Sequence, residues 1–458
     1  MGRSETDSNL QLGVVYGARF AREGEQMIRK INARRAYGRG IAGGIIVVAL
    51  TATSLSGVSG AAPSDNVDPQ VIRDWNATMV ATVAVDAGKA NAEAFMWFGF
   101  VQAAVYNAVE GITDDYELYR WDKDGPETAS PEAAAAAAAH DVLLEYFPAS
   151  QARLDTQLTA SLAGVTDGSA EQQGVAYGQA AAAHLIKQRE NDGRNAAITF
   201  DKEPAKGVWR PTPEARLPFF DPWLGQVTPL MMTSSTQFRP GPPPALTSSK
   251  YTAEFKEVKK LGAKDSSART PEQTETALFT TDVAVGGYQA ALRDLTARHA
   301  MDISDTARLF AAVNMSLTDA TIAVWDAKYL YGYWRPITAI RWAGGDGNRG
   351  TVRDPSWEPF IATGTPPYPD YVSGFNGVTG AFTGSLSEIL GDDRLDLNIT
   401  SVAAGVTRHY DTAEALNQDG IDGRVYLGIH FRTADEVAID MGTQVADWAL
   451  DHYFEPED

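Results

Sequence analysis

The sequence predicts an all-α fold, and three observations carry that prediction. Long stretches repeat their apolar residues at helical spacing, two alanine-rich runs sit beside helix-start signals, and runs that alternate apolar with polar residues are nearly absent. The chain has 458 residues, enough for a large core in one domain or in several small ones.

Taken in order, the N-terminus reads as a targeting segment over residues 1–62. A polar stretch ends in Arg34-Arg35-Ala36-Tyr37-Gly38-Arg39 and is followed by the apolar run IAGGIIVVALTATSLSGVSGAA. Paired arginines, an apolar run and small residues at Ser59 and Ala61 resemble a twin-arginine export signal, cleaved near Ala61 or Ala62. Export is the expectation; the alternatives are an uncleaved anchor, or an N-terminal tail on a cytoplasmic enzyme. AEAFMWFGFVQAAVYNAVEGI at 92–112 is apolar all round, as a buried helix is. SPEAAAAAAAHDVLLEYF at 130–147 offers Ser130 as N-cap and Pro131 at the first helical position. A second alanine-rich helix is expected over 172–189. From about 203 to 246 the chain is irregular and rich in proline and aromatics, too apolar for a loose linker. It is expected to pack over helices as the wall or lid of a pocket. Helical periodicity then runs to the C-terminus.

Composition excludes several chemistries. A net charge of −20 and a pI near 4.7 argue against nucleic acid and anionic membrane as partners. With no cysteine there is no disulfide, thiolate nucleophile or iron–sulfur cluster. The six histidines, at 140, 184, 299, 409, 430 and 452, show neither HxH nor HExxH spacing, so a zinc or di-iron site of that kind is not expected.

Chemistry concentrates in the C-terminal third. In WDAKYLYGYWRPITAIR, Lys328 and Arg335 are seven residues apart. On one helix ending at Pro336, both cations would leave the same face, roughly 10 Å apart along the axis. Ser373-Gly374 follow GTPPYPDYV and open the run FNGVTGAFTGSLSEIL, where a serine and free amides at a helix N-terminus can hold an anion. Arg424 and His430 follow in GRVYLGIHFRTADE. Three cations, a helix N-terminus and an imidazole suit a tetrahedral oxyanion such as phosphate or vanadate. Each piece also has a plainer reading. The cations could lie on a solvated face, although Trp325, Tyr329, Tyr331, Tyr333 and Trp334 surround them; Ser373 could be a cap only; His430, between Ile429 and Phe431, could be a core histidine. The conjunction in this order is what points to a site.

That conjunction resembles the vanadium-dependent haloperoxidases and the related type 2 phosphatidic acid phosphatases. Their pattern is Lys-x6-Arg-Pro, then Pro-Ser-Gly-His, then Ser-Arg-x5-His-x3-Asp. The first block stands here as Lys328, Arg335 and Pro336, and the third keeps Arg424 and His430 at the family's spacing. GVWRPTPEARLPFFDPWLGQVTPLMM, QFRPGPPPALTSSKY and LTDATIAVWDAKYLYGYWRP extend the likeness over most of residues 68–458. The resemblance implies two helical bundles, with the oxyanion held in the second, about residues 275–455. It gives His430 the position that bonds vanadium, or attacks phosphorus in the phosphatases. Lys328, Arg335, Ser373, Gly374 and Arg424 match the positions that hold the equatorial oxygens.

The sequence departs from the pattern at three places. Gly423 stands where the family often has serine, Asp435 comes one residue late with Ala434 at the expected position, and Phe375 replaces the second-motif histidine. That histidine is the family's acid–base group, and a phenyl ring has no proton to exchange. Losing such a group costs on the order of a hundredfold to ten-thousandfold. The profile resembles homologues in bacterial meroterpenoid pathways of the napyradiomycin type, where a member of this fold rearranges an α-hydroxyketone without halogenating. The implied leading function is a redox-neutral 1,2-prenyl shift on a prenylated naphthoquinone-type substrate, with no required cofactor. In it His430 is the base, Lys328, Arg335 and Arg424 polarise the carbonyl, and Phe375 and Trp334 line the pocket. The alternatives are a vanadium-dependent haloperoxidase, with His430 as the metal ligand, then a phosphatase, then an oxyanion-binding protein without activity. The partner expected is a small aromatic or prenylated molecule, and a homodimer is left open.

Overall fold

The computed structural model describes residues 67–457 apart from 90, 214, 392 and 393, so the expected export signal lies outside the described residues. The first bundle comprises α1 (Gln70–Val80), α2 (Asn91–Thr113), α3 (Pro131–Tyr146), α4 (Gln151–Leu162) and α5 (Ser169–Gln188). Helix α2 is apolar all round because it is buried all round: Phe98, Phe100 and Tyr106 are fully enclosed. Helix α3 begins at its capping signal, where the Ser130 hydroxyl accepts the Ala133 N–H and Pro131 takes the first position. Its alanines, Ala133 through Ala139, are all buried against neighbouring helices. Helix α5 comes so close that a Cβ at Gly178 would sit 2.1 Å from the Ala134 carbonyl oxygen. Small residues on both faces let the two backbones touch.

The second bundle comprises α6 (Ser249–Leu261), α7 (Pro271–Phe279), α8 (Tyr288–Arg298), α9 (Ile303–Tyr331), α10 (Pro336–Trp342), α11 (Gly374–Leu390), α12 (Ala413–Tyr426) and α13 (Arg432–Leu450). Helix α9 spans 29 residues, and every residue from Leu309 to Lys328 is buried. It packs on α2 of the first bundle and on α11 and α13 of the second, so it ties the two together. Helices α11 and α13 meet with backbone contact, since a Cβ on Gly380 would lie 2.3 Å from the Ile439 carbonyl oxygen. No described helix is long and apolar enough to cross a membrane.

The irregular segment is ordered through one buried carboxylate. Asp319 of α9 accepts the amides of Leu230, Met231 and Met232 at 2.7, 2.8 and 2.7 Å, which supplies acceptors that a loop lacks. Further along, Phe220 N–H donates to the Pro367 carbonyl, and the Phe220 carbonyl accepts the Trp325 indole N–H. The segment therefore lies against the residues that carry the site.

Two sequence expectations are corrected here. Lys328 and Arg335 do not share a helix. Helix α9 stops at Tyr331 because Gly332 adopts the left-handed conformation, φ 55° and ψ 40°, and returns its N–H to the Lys328 carbonyl. Arg335 instead precedes α10, and Pro336 opens that helix rather than ending the earlier one. The second correction is a hairpin, β1 (Arg394–Ser401) with β2 (Val406–Thr412), paired antiparallel. Leu395, Leu397 and Ile399 alternate inward along β1, an eight-residue period-two signal that a helical reading of this region misses.

Candidate oxyanion site

Five elements deliver the expected residues to one place. Lys328 comes from the last turn of α9, Arg335 from the residue before α10, and Arg424 from the last turn of α12. Ser373 caps α11 by accepting the Asn376 N–H, with Gly374 as that helix's first residue. His430 lies just before Phe431, which caps α13. Lys328, Arg335 and Ser373 are fully buried, His430 is 1% exposed and Arg424 8%, so the cations are not a solvated face.

Each cation is held mainly by backbone carbonyls, and Arg335 also makes a long ion pair, its Nη1 lying 3.8 Å from Asp370 Oδ1. Lys328 Nζ donates to the carbonyls of Pro369 and Asp370 at 2.7 and 3.2 Å. Arg335 Nε donates to Tyr368 O and its Nη1 to Ile429 O, both at 2.8 Å. Arg424 Nη1 donates to Thr280 O at 3.0 Å. The remaining guanidinium groups matter more: Arg335 Nη2 and Arg424 Nε are buried with no acceptor among the described residues. A buried charged donor without a partner costs more than the ~1–3 kcal/mol of a neutral one, so both call for an anionic acceptor.

His430 is oriented by two neighbours. Arg335 Nη1 lies 3.0 Å from Nε2, and Asp370 Oδ1 lies 2.9 Å from Nδ1. A guanidinium can only donate, and Arg335 Nη1 also lies 3.5 Å from Nδ1, so it flanks the ring between its two nitrogens. Burial, then the fields of Arg335, Lys328 and Arg424, holds the imidazole well below its ordinary pKa, and the ring is neutral. Burial, then Arg335, likewise holds Lys328 well below the usual ammonium range. Burial lowers Arg424 to about 10. The carboxyls move the other way: burial pushes Asp370 well above its ordinary value and Asp435 up to about 7. With both acids biased toward neutrality, they offset little of the positive charge that the basic side chains bring to the centre.

Phe375 is half-buried at the edge of the site, its ring 4.9 Å from the Arg424 guanidinium and 6.4 Å from Tyr288. Trp334 is fully buried and stacks on Tyr251 at 6.5 Å, so it is a core side chain rather than an open pocket wall. The departures at Gly423 and Asp435 acquire physical reasons. A Cβ at Gly423 would lie 2.4 Å from Thr280 Cγ2, so the close approach that presents the Thr280 carbonyl to Arg424 leaves no room for serine. Asp435 accepts the Asn376 amide at 2.8 Å and braces the start of α11. The histidine's carboxyl partner is Asp370, which sequence reasoning missed although it lies three residues before Ser373.

The helical fold described above is shared with the vanadium haloperoxidases. Residues 308–456 match the second helical-bundle domain of vanadium chloroperoxidase. The vanadium chloroperoxidase of Curvularia inaequalis is 25% identical over 288 residues, which is 48% of this chain and 47% of that protein. The chain thus spans about half the length of that relative. The crystal structure of the first bacterial vanadium-dependent iodoperoxidase aligns with TM-score 0.73 at 23% identity, covering 86% of this chain and 98% of that one. The holo form of a bacterial vanadium-dependent chloroperoxidase aligns with TM-score 0.66 at 19% identity, covering 84% and 97%. The chain is a haloperoxidase-fold protein related to the vanadium chloro- and iodoperoxidases.

Proposed function

We propose that this chain is an enzyme that holds a tetrahedral oxyanion, vanadate foremost, in a haloperoxidase-type centre whose acid–base position has been altered. The observation that carries the reading is the pair of buried, unpartnered guanidinium donors, Arg335 Nη2 and Arg424 Nε, beside the neutral ring of His430. Lys328, Arg335, Arg424 and the amide at Gly374 would hold the oxygens, and His430 would supply a nitrogen ligand. Bound vanadate supplies a Lewis acid for peroxide activation. The chain's own work is to neutralise the anion's charge, keep water from the centre and hold the imidazole in place between Arg335 and Asp370. Without a titratable side chain at 375, halide oxidation is expected to run roughly a hundredfold to ten-thousandfold below histidine-bearing relatives.

A second reading is favoured by Phe375 itself, which gives the edge of the site an apolar ring. Here the same donors polarise the ketone oxygen of an α-hydroxyketone on a prenylated naphthoquinone-type molecule. His430 takes the hydroxyl proton while the prenyl group and its bonding pair shift to the adjacent carbonyl carbon, and the same proton is returned to the former ketone oxygen, with no redox change and no cofactor. One set of measurements separates the two. Calorimetry with vanadate and with phosphate tests the oxyanion centre, and bromide or iodide oxidation with vanadate and peroxide tests its use. No binding of either anion sinks the first reading; turnover of a prenylated α-hydroxyketone without vanadate establishes the second.

A further inference from the structure

The loss of histidine at 375 leaves the question of which group moves protons at this centre. The side chains that bind charge are enclosed, and the half-buried residues at its edge are Tyr368, Gly374 and Phe375. Of these, Tyr368 alone has a side-chain proton. Its ring centroid lies 4.9 Å from Lys328 Nζ and 4.9 Å from the Arg335 guanidinium, and the Trp325 ring packs on it at 5.1 Å. Its backbone carbonyl accepts Arg335 Nε, which fixes the residue's position against the site. The phenol is close enough to act on both Arg335 and Arg424. Other tyrosines nearby have their hydroxyls committed: Tyr288 to Thr379, Tyr333 to the Pro244 carbonyl, Tyr371 to the Gly241 carbonyl. The Arg335 guanidinium lies against the Tyr368 ring and cannot accept the hydroxyl's proton.

We propose that Tyr368 is the proton-transfer residue of this centre, taking the part that an imidazole at position 375 would play. The inference rests on the oxyanion reading above. In the step, the phenol O–H bond breaks as a new O–H bond forms on the substrate oxygen that leaves or gathers charge. The phenolate left behind lies beside Lys328 and Arg335 and recovers its proton from water, so no electrons change hands. Ser373 is the other hydroxyl at the site, but it is fully enclosed and engaged as the cap of α11.

The test uses the full chain with inorganic phosphate as the probe, in the wild type and in Tyr368→Phe and Tyr368→His. Phosphorus NMR of bound phosphate, followed against pH, reads whether the phenol donates to it. Removing that donor in Tyr368→Phe leaves phosphate bound by the three cations but moves the midpoint of its titration upward. An unchanged midpoint overturns the proposal. In parallel, iodide oxidation with vanadate and peroxide is expected to fall about a hundredfold in Tyr368→Phe and less in Tyr368→His, which keeps a titratable ring. In a Phe375→His background the cost of Tyr368→Phe should shrink below about tenfold, because the imidazole then carries the proton. Equal losses in both backgrounds would mean that Tyr368 only packs against the cations. Absence of phosphate and vanadate binding in the wild type instead defeats the oxyanion reading, and this proposal with it.

Discussion

At position 375 a phenyl ring stands where the two proposed readings part. The Phe375 ring covers the Arg424 guanidinium at 4.9 Å and exchanges no proton. Phe375→His should raise vanadate-dependent bromide oxidation at least tenfold, measured at fixed peroxide. If prenyl-shift activity is present, the same change should lower it by making the edge of the site polar. No rise in bromide turnover, in a variant that still binds vanadate, would show that the centre lacks more than a proton donor. Asp370 is the complementary case. It lies 2.9 Å from His430 Nδ1, so Asp370→Asn removes the carboxyl beside the ring. Vanadate affinity should fall roughly tenfold to a hundredfold by calorimetry, and an unchanged affinity would mean that Arg335 alone orients the ring.

At the scale of elements, the sequence made the helices legible and hid the way they close on the site. Ser130-Pro131 and Ser373-Gly374 mark helix starts because capping is local chemistry, and both are used as read. The break after Tyr331 was also written locally, in Gly332, but a Lys-to-Arg spacing of two helical turns suggested continuity. The carbonyls of Thr280, Ile429 and Pro369 that hold the cations carry no side-chain signal, since every residue has a carbonyl. Asp370 was visible as a residue and not as a partner, because its distance from His430 is set by packing across 60 residues of chain. Gly423 illustrates the same point. Gly423→Ser restores the family's residue yet should destabilise the fold by ~1–3 kcal/mol through contact with Thr280. Chemical denaturation would measure this, and pairing the change with Thr280→Ala should recover part of the loss. A neutral single variant would show that α7 and α12 can move apart without cost.

At the scale of the molecule, the two bundles are joined through α9, and the joint contains a buried acid far from the chemistry. Glu110 of α2 accepts the Ser304 hydroxyl of α9 at 2.9 and 2.7 Å and is 1% exposed. Burial pushes its pKa from 4.5 up to about 8. Its carboxyl is therefore protonated in the folded chain near neutrality and ionised in the unfolded chain. The unfolded state then binds fewer protons, so stability falls as pH rises. The contribution is full below about 4.5 and is lost as pH climbs through about 8, a swing on the order of a few kcal/mol. Asp435, raised to about 7 inside the site, adds in the same direction. A bound oxyanion stabilises the folded state by mass action and would add to the melting temperature. Because Glu110 is remote from the site, its share of the pH slope should survive saturation with phosphate. Thermal melts across pH 5 to about 9, with and without phosphate, should show a declining midpoint in both series, flattened in Glu110→Gln. A Glu110→Gln variant with the wild-type slope would place the pH dependence in the oxyanion centre, and the joint between the bundles would then be electrostatically silent.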